Sequence, residues 1–177
     1  GKYVLDNNKH LFLEKPSTTS AEDTKTLIRL AREKNLALHE NYMFMFHSQL
    51  NKISDLVSSG EIGEVRLYRI SFGFPQRLKT DFRYNKELGG GALLDCGGYT
   101  IKLASKLLGE TAKILYSQLS YTPDFNVDIF GNAAFGNEEG MVAQISFGID
   151  NDYKCDLEVW GSKGSIYTGR IFTAPAG

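Results

Sequence analysis

The apolar residues of positions 1–40 follow first a strand period and then a helical one. Leu11-Phe12-Leu13 is a short apolar run that ends before Pro16, which has no N–H for a β-ladder. A helical spacing follows, carried by Thr24, Leu27, Ile28 and Ala31. A second apolar run then begins at Leu36-Ala37-Leu38. Strand, helix and strand with short loops predict the end of a parallel, doubly wound sheet.

Beyond residue 40 the pattern predicts a second domain with an antiparallel sheet. A helix whose apolar face includes Leu50 and Ile53 ends at Gly60. Period-two alternation then recurs around residues 68–74, 127–135, 141–149 and 153–159. Turn residues at 137–140 and 150–152 favour a meander with one face covered. A helix over residues 91–108 interrupts it. We therefore predict an α/β (α+β) chain with domains 1–40 and 41–177.

Composition excludes several classes of partner. The 177 residues are 42% hydrophobic and 23% charged, with a net charge of -1, so no basic surface for nucleic acid is expected. No apolar stretch reaches the roughly 20 residues that a membrane span needs, and the first residues lack the apolar core of a signal peptide. We expect a cytoplasmic protein that binds neither nucleic acid nor membrane. Both ends look truncated, so a longer parent protein is expected.

Cysteine and histidine give no sign of a metal site. Cys96 and Cys155 stand alone, without a CxxC pair, and are expected to be small buried apolar residues. His10, His39 and His47 are scattered over different elements, without the spacing of metal ligands. We predict no bound metal.

Two segments contain candidate functional residues. Glu14-Lys15-Pro16 follows a predicted parallel strand, at the edge where open α/β sheets bind ligands, although a solvated loop lysine is the alternative. The second segment, residues 89–99, reads GGGALLDCGGY. Its first glycines could let a ligand approach the start of a helix, whereas close packing against the sheet would equally explain the glycines inside it. The segment is not a GxGxxG phosphate loop.

The second segment also places polar residues on one predicted helix face. Asp95 and Tyr99 are four residues apart, and Lys102 and Lys106 continue the same face. Such a face could line a site. A solvated polar stripe is the alternative, and it is slightly favoured by the pattern alone.

These motifs together resemble the glucose-fructose oxidoreductase, inositol dehydrogenase and rhizopine-catabolism (Gfo/Idh/MocA) family. The resemblance is carried by Glu14-Lys15-Pro16 and by Tyr99, which ends the glycine-rich segment 84 residues after Lys15. Five further matches extend over the chain: Phe82-Arg83, Gly60-Glu61-Ile62-Gly63, the segment 161–165 and the segments 40–49 and 170–175. The last two segments are similar to those of nucleotide-sugar ketoreductases.

The resemblance implies a Rossmann domain that binds NAD or NADP, followed by a domain with an open, mostly antiparallel sheet and helices on one face. It implies that Lys15 lies beside the nicotinamide and the substrate, and that Tyr99 donates a proton to the nascent alkoxide. Tyrosine ordinarily has a pKa near 10, and a nearby ammonium would ease this donation. Asp95 is expected to orient Tyr99 or a substrate hydroxyl.

The resemblance also implies cofactor contacts from Glu14, Lys15 and Pro16, and a cofactor or substrate contact from Arg83. Because the glycine-rich phosphate loop is absent from the sequence, we expect these 177 residues alone to bind cofactor weakly or not at all.

The expected function is therefore hydride transfer to or from a sugar, including a nucleotide-linked deoxysugar. Two alternatives remain on the same fold: a non-catalytic sensor of sugar or dinucleotide, and an assembly module. A homo-oligomer, dimer or tetramer, is expected because the uncovered face of the sheet should be apolar.

Overall fold

A computed structural model of the chain, which describes residues 1–173, separates into two compact units. The boundary lies between Tyr42 and Met43. We call residues 1–42 the N-terminal unit and the residues from 43 onward the C-terminal unit. Ala174 and Pro175, which close the segment similar to nucleotide-sugar ketoreductases, lie outside the described residues.

The N-terminal unit contains the predicted strand, helix and strand. Its elements are α1 (Lys2–Asp6), β1 (Leu11–Glu14), α2 (Ala21–Glu33) and β2 (Leu38–Asn41). Strands β1 and β2 pair in parallel, from Leu11 opposite Leu38 to Glu14 opposite Asn41. The hydroxyl of Ser20 caps α2 by accepting a hydrogen bond from the Asp23 N–H. A small core of Leu5, Leu11, Leu27 and Ala31 holds the elements together.

The C-terminal unit is built on a six-stranded sheet. The strands are β3 (Val65–Gly73), β4 (Lys113–Tyr121), β5 (Asp128–Gly136), β6 (Val142–Gly148), β7 (Lys154–Gly161) and β8 (Ser165–Thr168). Their order is β4-β5-β6-β3-β7-β8, and every neighbouring pair is antiparallel except β3 and β6. The mostly antiparallel sheet is confirmed.

A simple meander is wrong, because β3 inserts between β6 and β7 and runs parallel to β6. Tyr68, Ile70 and Phe72 of β3 lie in register with Ala143, Ile145 and Phe147 of β6. All six are buried, so the two strands share one core.

Helices cover one face of this sheet. After a 3₁₀ turn (Met43–Phe46) come α3 (Gln49–Ser58), two short 3₁₀ turns (Phe82–Tyr84 and Lys86–Leu88), a π turn (Leu93–Gly97) and α4 (Gly98–Leu108). Helix α4 packs against β3 and β6 through buried residues that include Leu103, Ala104 and Leu108.

The opposite face of the sheet is largely polar. Cross-strand register aligns Asn132, Ser146, Ser71 and Asp156 in one row. In a neighbouring row Arg69 pairs with Glu158 at 3.5 Å. Aromatic residues lie toward the edges of this face, and one of them, Trp160, is 44% exposed. The expectation that this face is apolar is therefore wrong for its central rows, because the alternate positions of the central strands carry hydroxyl, amide and charged groups. Toward the edge of the face, Trp160 and Tyr167 are exposed aromatic residues.

Candidate active site

Lys15 lies at the carboxyl edge of the parallel pair in the N-terminal unit. The Glu14 carboxylate accepts a hydrogen bond from the Asn41 side-chain amide at 2.7 Å. The Glu40 carboxylate likewise accepts one from the Ser17 N–H at 2.8 Å. These bonds tie the loop that contains Lys15 to the end of β2. The residue predicted from its place after a strand therefore lies where open parallel sheets bind their ligands.

Tyr99 lies in an aromatic cluster of the C-terminal unit. Its ring centroid is 5.1 Å from that of Phe72, 5.6 Å from that of Phe172 and 5.8 Å from that of Phe44. The residue is only 7% exposed. Its hydroxyl donates to the sulfur of Met43 at 3.6 Å, and a thioether is a weak acceptor. Interpreting Tyr99 as part of a solvated stripe is therefore wrong.

The π turn explains why the face predicted for residues 91–108 is not continuous. A π turn contains one residue more than an α turn, so positions before and after Leu93–Gly97 do not share a single 3.6-residue stripe. Tyr99 consequently faces the core, whereas Lys102 and Lys106 are exposed. Helices with such a turn are often found at functional sites.

Asp95 and Arg83 form an ion pair that the sequence did not predict. The Arg83 Nε donates to Asp95 Oδ2 at 2.5 Å, and its Nη1 lies 3.1 Å from Asp81 Oδ1. Burial alone would lower the pKa of Arg83, but the hydrogen bonds and charges of Asp95 and Asp81 raise it. The hydrogen bond from the Arg83 N–H, followed by the guanidinium itself, lowers the pKa of Asp81. These contacts therefore stabilise the charged forms of Arg83 and Asp81.

Gly90 and Gly91, at the start of this helix, leave room for other parts of the protein to pack against the backbone. A side chain at Gly90 would meet the Arg83 carbonyl oxygen at 2.4 Å, and one at Gly91 would meet Asp128 Oδ1 at 2.3 Å. Asp128 Oδ2 accepts from the Leu93 N–H at 2.6 Å. The positive end of the helix is thus occupied by the protein's own carboxylate, so the ligand-approach interpretation is wrong there.

Close packing explains a glycine farther along. A side chain at Gly97 would lie 3.2 Å from the Phe147 ring of β6, so this glycine lets the helix approach the sheet. Close packing was one of the two explanations left open by the sequence.

Sequence reasoning missed two of the three aromatic residues around Tyr99, namely Phe44 and Phe172, and it also missed the Asp128 cap. Phe44 and Phe172 are 128 positions apart, yet their rings meet edge to face at 4.9 Å. Only the alternation of β3 marked Phe72 as a core residue. The sequence could have drawn attention to Asp128, because it is an acidic residue among the apolar positions of β5.

Within residues 1–173, no group of three or more His, Cys, Asp or Glu side chains is arranged to hold a metal ion. The helices described between residues 1 and 173 are too short or too polar to cross a membrane.

Two family descriptions match the chain. Residues 50–167 match the GFO/IDH/MocA C-terminal domain, and residues 1–42 match the oxidoreductase family with an NAD-binding Rossmann fold. The fold and the motifs thus match the two domains of an oxidoreductase family, and the chain belongs to the GFO/IDH/MocA family. The resemblance drawn from the motifs is confirmed.

Two relatives are nucleotide-sugar reductases. The chain is 43% identical over 173 residues to dTDP-3,4-didehydro-2,6-dideoxy-alpha-D-glucose 3-reductase of Saccharopolyspora spinosa, covering 98% of this chain and 52% of the relative. It is 42% identical over 175 residues to the enzyme of the same name from Streptomyces violaceoruber, covering 98% and 51%. The chain therefore spans about half the length of the curated relatives it matches.

A solved structure shares the fold closely. The crystal structure of a 3-ketoreductase from Actinomadura kijaniata with NADP and TDP-benzene superposes with a TM-score of 0.94 at 38% identity, covering 98% of this chain and 54% of that one. Structures of the same enzyme include one variant with a tyrosine replaced by phenylalanine and another with a lysine replaced by alanine. The two replaced residues are 84 positions apart in that enzyme.

Proposed function

We propose that the protein uses NADPH to reduce the 3-keto group of a dTDP-linked deoxysugar. The observation that carries the proposal is the separation of Lys15 and Tyr99. It equals the 84-residue separation of the lysine and tyrosine replaced in the A. kijaniata 3-ketoreductase. Identity of 42–43% to two 3-reductases over 98% of the chain supports the same substrate class.

The N-terminal unit has groups that fit the nicotinamide end of the cofactor. Lys15 provides an ammonium at the carboxyl edge of β1 and β2, beside the loop tied by Glu14 and Glu40. Glu14, Lys15 and Pro16 would hold that end of NADPH. When bound, NADPH supplies the hydride. The A. kijaniata complexes contain NADP, which favours NADPH over NADH.

Tyr99 is proposed as the proton donor. As the ketone carbon gains a hydride, its oxygen becomes an alkoxide and takes the proton of the Tyr99 hydroxyl. The aromatic rings around Tyr99 fix the orientation of the phenol and exclude water from one side of it.

Arg83 and Asp95 are proposed as positioning residues. Their ion pair joins the 3₁₀ turn at Phe82–Tyr84 to the π turn that precedes Tyr99. Because the Asp95 carboxylate is already held by a guanidinium, it is poorly suited to exchange protons with substrate. The expected role of Arg83 as a cofactor contact stays a prediction.

The partner and location expectations also stay predictions. We propose a dimer or tetramer that forms through the uncovered sheet face and buries both its polar rows and its peripheral aromatic residues. We also propose that the protein acts in the cytoplasm. The non-catalytic sensor is the second candidate, but the retained Lys15 and Tyr99 favour an enzyme.

Turnover by the full-length protein tests the proposed function. Incubation with dTDP-3,4-didehydro-2,6-dideoxy-α-D-glucose and NADPH should consume both in equal amounts and give the 3-hydroxy sugar, identified by mass spectrometry and NMR. Binding of the nucleotide sugar without NADPH consumption would favour the sensor. Reduction only of sugars that carry no nucleotide would overturn the proposed substrate class.

A further inference from the structure

A cleft of about 800 Å³ lies beside the aromatic cluster of Tyr99 within the C-terminal unit. Its walls come from the segment that follows β3 and from Tyr153 at the start of β7. The lining residues that matter here are Phe74, Arg77, Leu78, Asp81 and Tyr153. The volume falls in the range of sites for drug-sized ligands. It therefore has room for a nucleotide.

Two contacts connect the cleft to Tyr99. The Phe72 ring lies 5.1 Å from Tyr99 on one side and 6.4 Å from Phe74 on the other. The segment 170–173 also reaches both regions, because Phe172 packs on Tyr99 and Thr173 shares a 2.7 Å hydrogen bond with the Tyr153 hydroxyl. A ligand that places one end at Tyr99 could therefore place its other end in the neighbouring cleft.

Two guanidinium groups flank the cleft. Arg77 lies over the Phe74 ring, 5.3 Å from its centroid, and Arg170 lies over the Tyr153 ring at 5.7 Å. Among residues 1–173, no carboxylate forms a salt bridge with Arg77 or Arg170 within 4 Å. By contrast, Arg83 is neutralised by Asp81 and Asp95. The three guanidinium groups of Arg77, Arg83 and Arg170 thus outnumber the two carboxylates of Asp81 and Asp95, which leaves positive charge for an anionic ligand.

The backbone under Arg77 is anchored. The Arg77 N–H donates to the Tyr84 hydroxyl at 3.0 Å, and that hydroxyl donates to the Ile149 carbonyl oxygen at 3.1 Å. Tyr84 itself is buried and stacks on Phe125 with the centroids 4.3 Å apart. The Arg77 side chain is exposed, so its truncation leaves this anchor intact.

We propose that this cleft binds the nucleoside diphosphate part of the substrate. Arg77 and Arg170 contact the diphosphate, while the exposed Leu78 and the rings of Phe74 and Tyr153 pack against the base. The charge of the Asp81 carboxylate is partly offset by Arg83, which lies 3.1 Å away, and by the nearby charge of Arg77, so its repulsion of the diphosphate is weakened. The inference rests on the proposed reduction of a nucleotide sugar and adds the residues that recognise its nucleotide.

Calorimetric titration of the full-length protein with dTDP tests the assignment. Arg77→Ala and Arg170→Ala should each raise the Kd by about tenfold, as expected for one charge-assisted contact at an exposed site. In turnover the same variants should raise the KM for the nucleotide sugar by a similar factor, with kcat within about twofold of the parent. Arg77→Lys should lose less than Arg77→Ala, because it keeps the charge without the guanidinium fork.

Lys79→Ala is the matched control. Lys79 belongs to the same segment, but its ammonium is paired with Asp124 at 2.9 Å, so dTDP affinity should stay within about twofold. An equal loss in this control would indicate a general charge effect and overturn the assignment.

Three results separate this inference from the proposed function. A parent protein that neither binds dTDP nor reduces the nucleotide sugar would refute both. A parent that does both, with Arg77→Ala and Arg170→Ala unchanged in Kd, would refute the cleft alone. Loss of kcat at constant KM and Kd in those variants would also refute it, since the two residues would then act on the chemical step.

Discussion

Gly91 is the position where the structure predicts the sharpest loss of stability. Its φ of +116° lies in a region that L side chains rarely adopt, and a Cβ there would be 2.3 Å from Asp128 Oδ1. Alanine at such a φ costs about 1 to 3 kcal/mol. Moving the Asp128 carboxylate would also leave the Leu93 N–H without its acceptor, which costs about 1 to 3 kcal/mol more. Gly91→Ala should therefore destabilise the C-terminal unit by about 2 to 6 kcal/mol.

Urea unfolding followed by the fluorescence of Trp160, the one tryptophan of the chain, measures this loss within the C-terminal unit. Gly140→Ala is the matched control, because Gly140 has a φ of +81° with nothing within 4 Å of the added Cβ. It should lose only the conformational cost of about 1 to 2 kcal/mol. Equal losses in the two variants would refute the reasoning. A Gly91→Ala variant that is as stable as the parent but fails to bind cofactor would also refute it, because that result would mean that Gly91 makes room for a ligand and not for Asp128.

Two further predictions concern pH and assembly. Burial raises the pKa of Asp128, so the folded state binds its proton more tightly than the unfolded chain, and the free energy of unfolding should fall as pH rises from the ordinary to the raised pKa. Urea titrations at several pH values should show that Asp128→Asn lacks this decline in the free energy of unfolding. If the parent instead gained stability relative to Asp128→Asn as pH rises over this window, the burial argument would be contradicted. Light scattering of the full-length protein at tens of micromolar should report a dimer or larger species, and a clean monomer would rule out pairing through the sheet face.

Local patterns were sufficient to predict the elements but not their pairing. The alternation of Tyr68, Ile70 and Phe72 predicted β3 because its side chains face one core. Its parallel partner β6 follows about 70 residues later, and neither alternation pattern predicts that β3 and β6 pair with each other. Strand β4 was missed because its residues, from Lys113 onward, are mostly exposed and show no alternation.

The two candidate catalytic residues were predictable to different degrees. Lys15 could be singled out from its place after a parallel strand, which is a local feature. Tyr99 could not, because a regular α-helical period places it on a polar stripe, and only the family resemblance identified it. The π turn that buries Tyr99 depends on packing against β6, at Gly97 and Phe147, and on the Asp128 cap from β5.

The Tyr99→Phe variant tests the proposed chemistry most directly, through kcat for reduction of the dTDP-linked 3-keto sugar by the full-length protein. Loss of the proton donor should lower kcat by about 10² to 10⁴ with little change in cofactor affinity. Tyr68→Phe, which removes the hydroxyl of another buried tyrosine in the same unit, should leave kcat within about twofold. A Tyr99→Phe enzyme whose kcat stays within about threefold of the parent would contradict the assignment, and would transfer the proton to Lys15 or to a bound water.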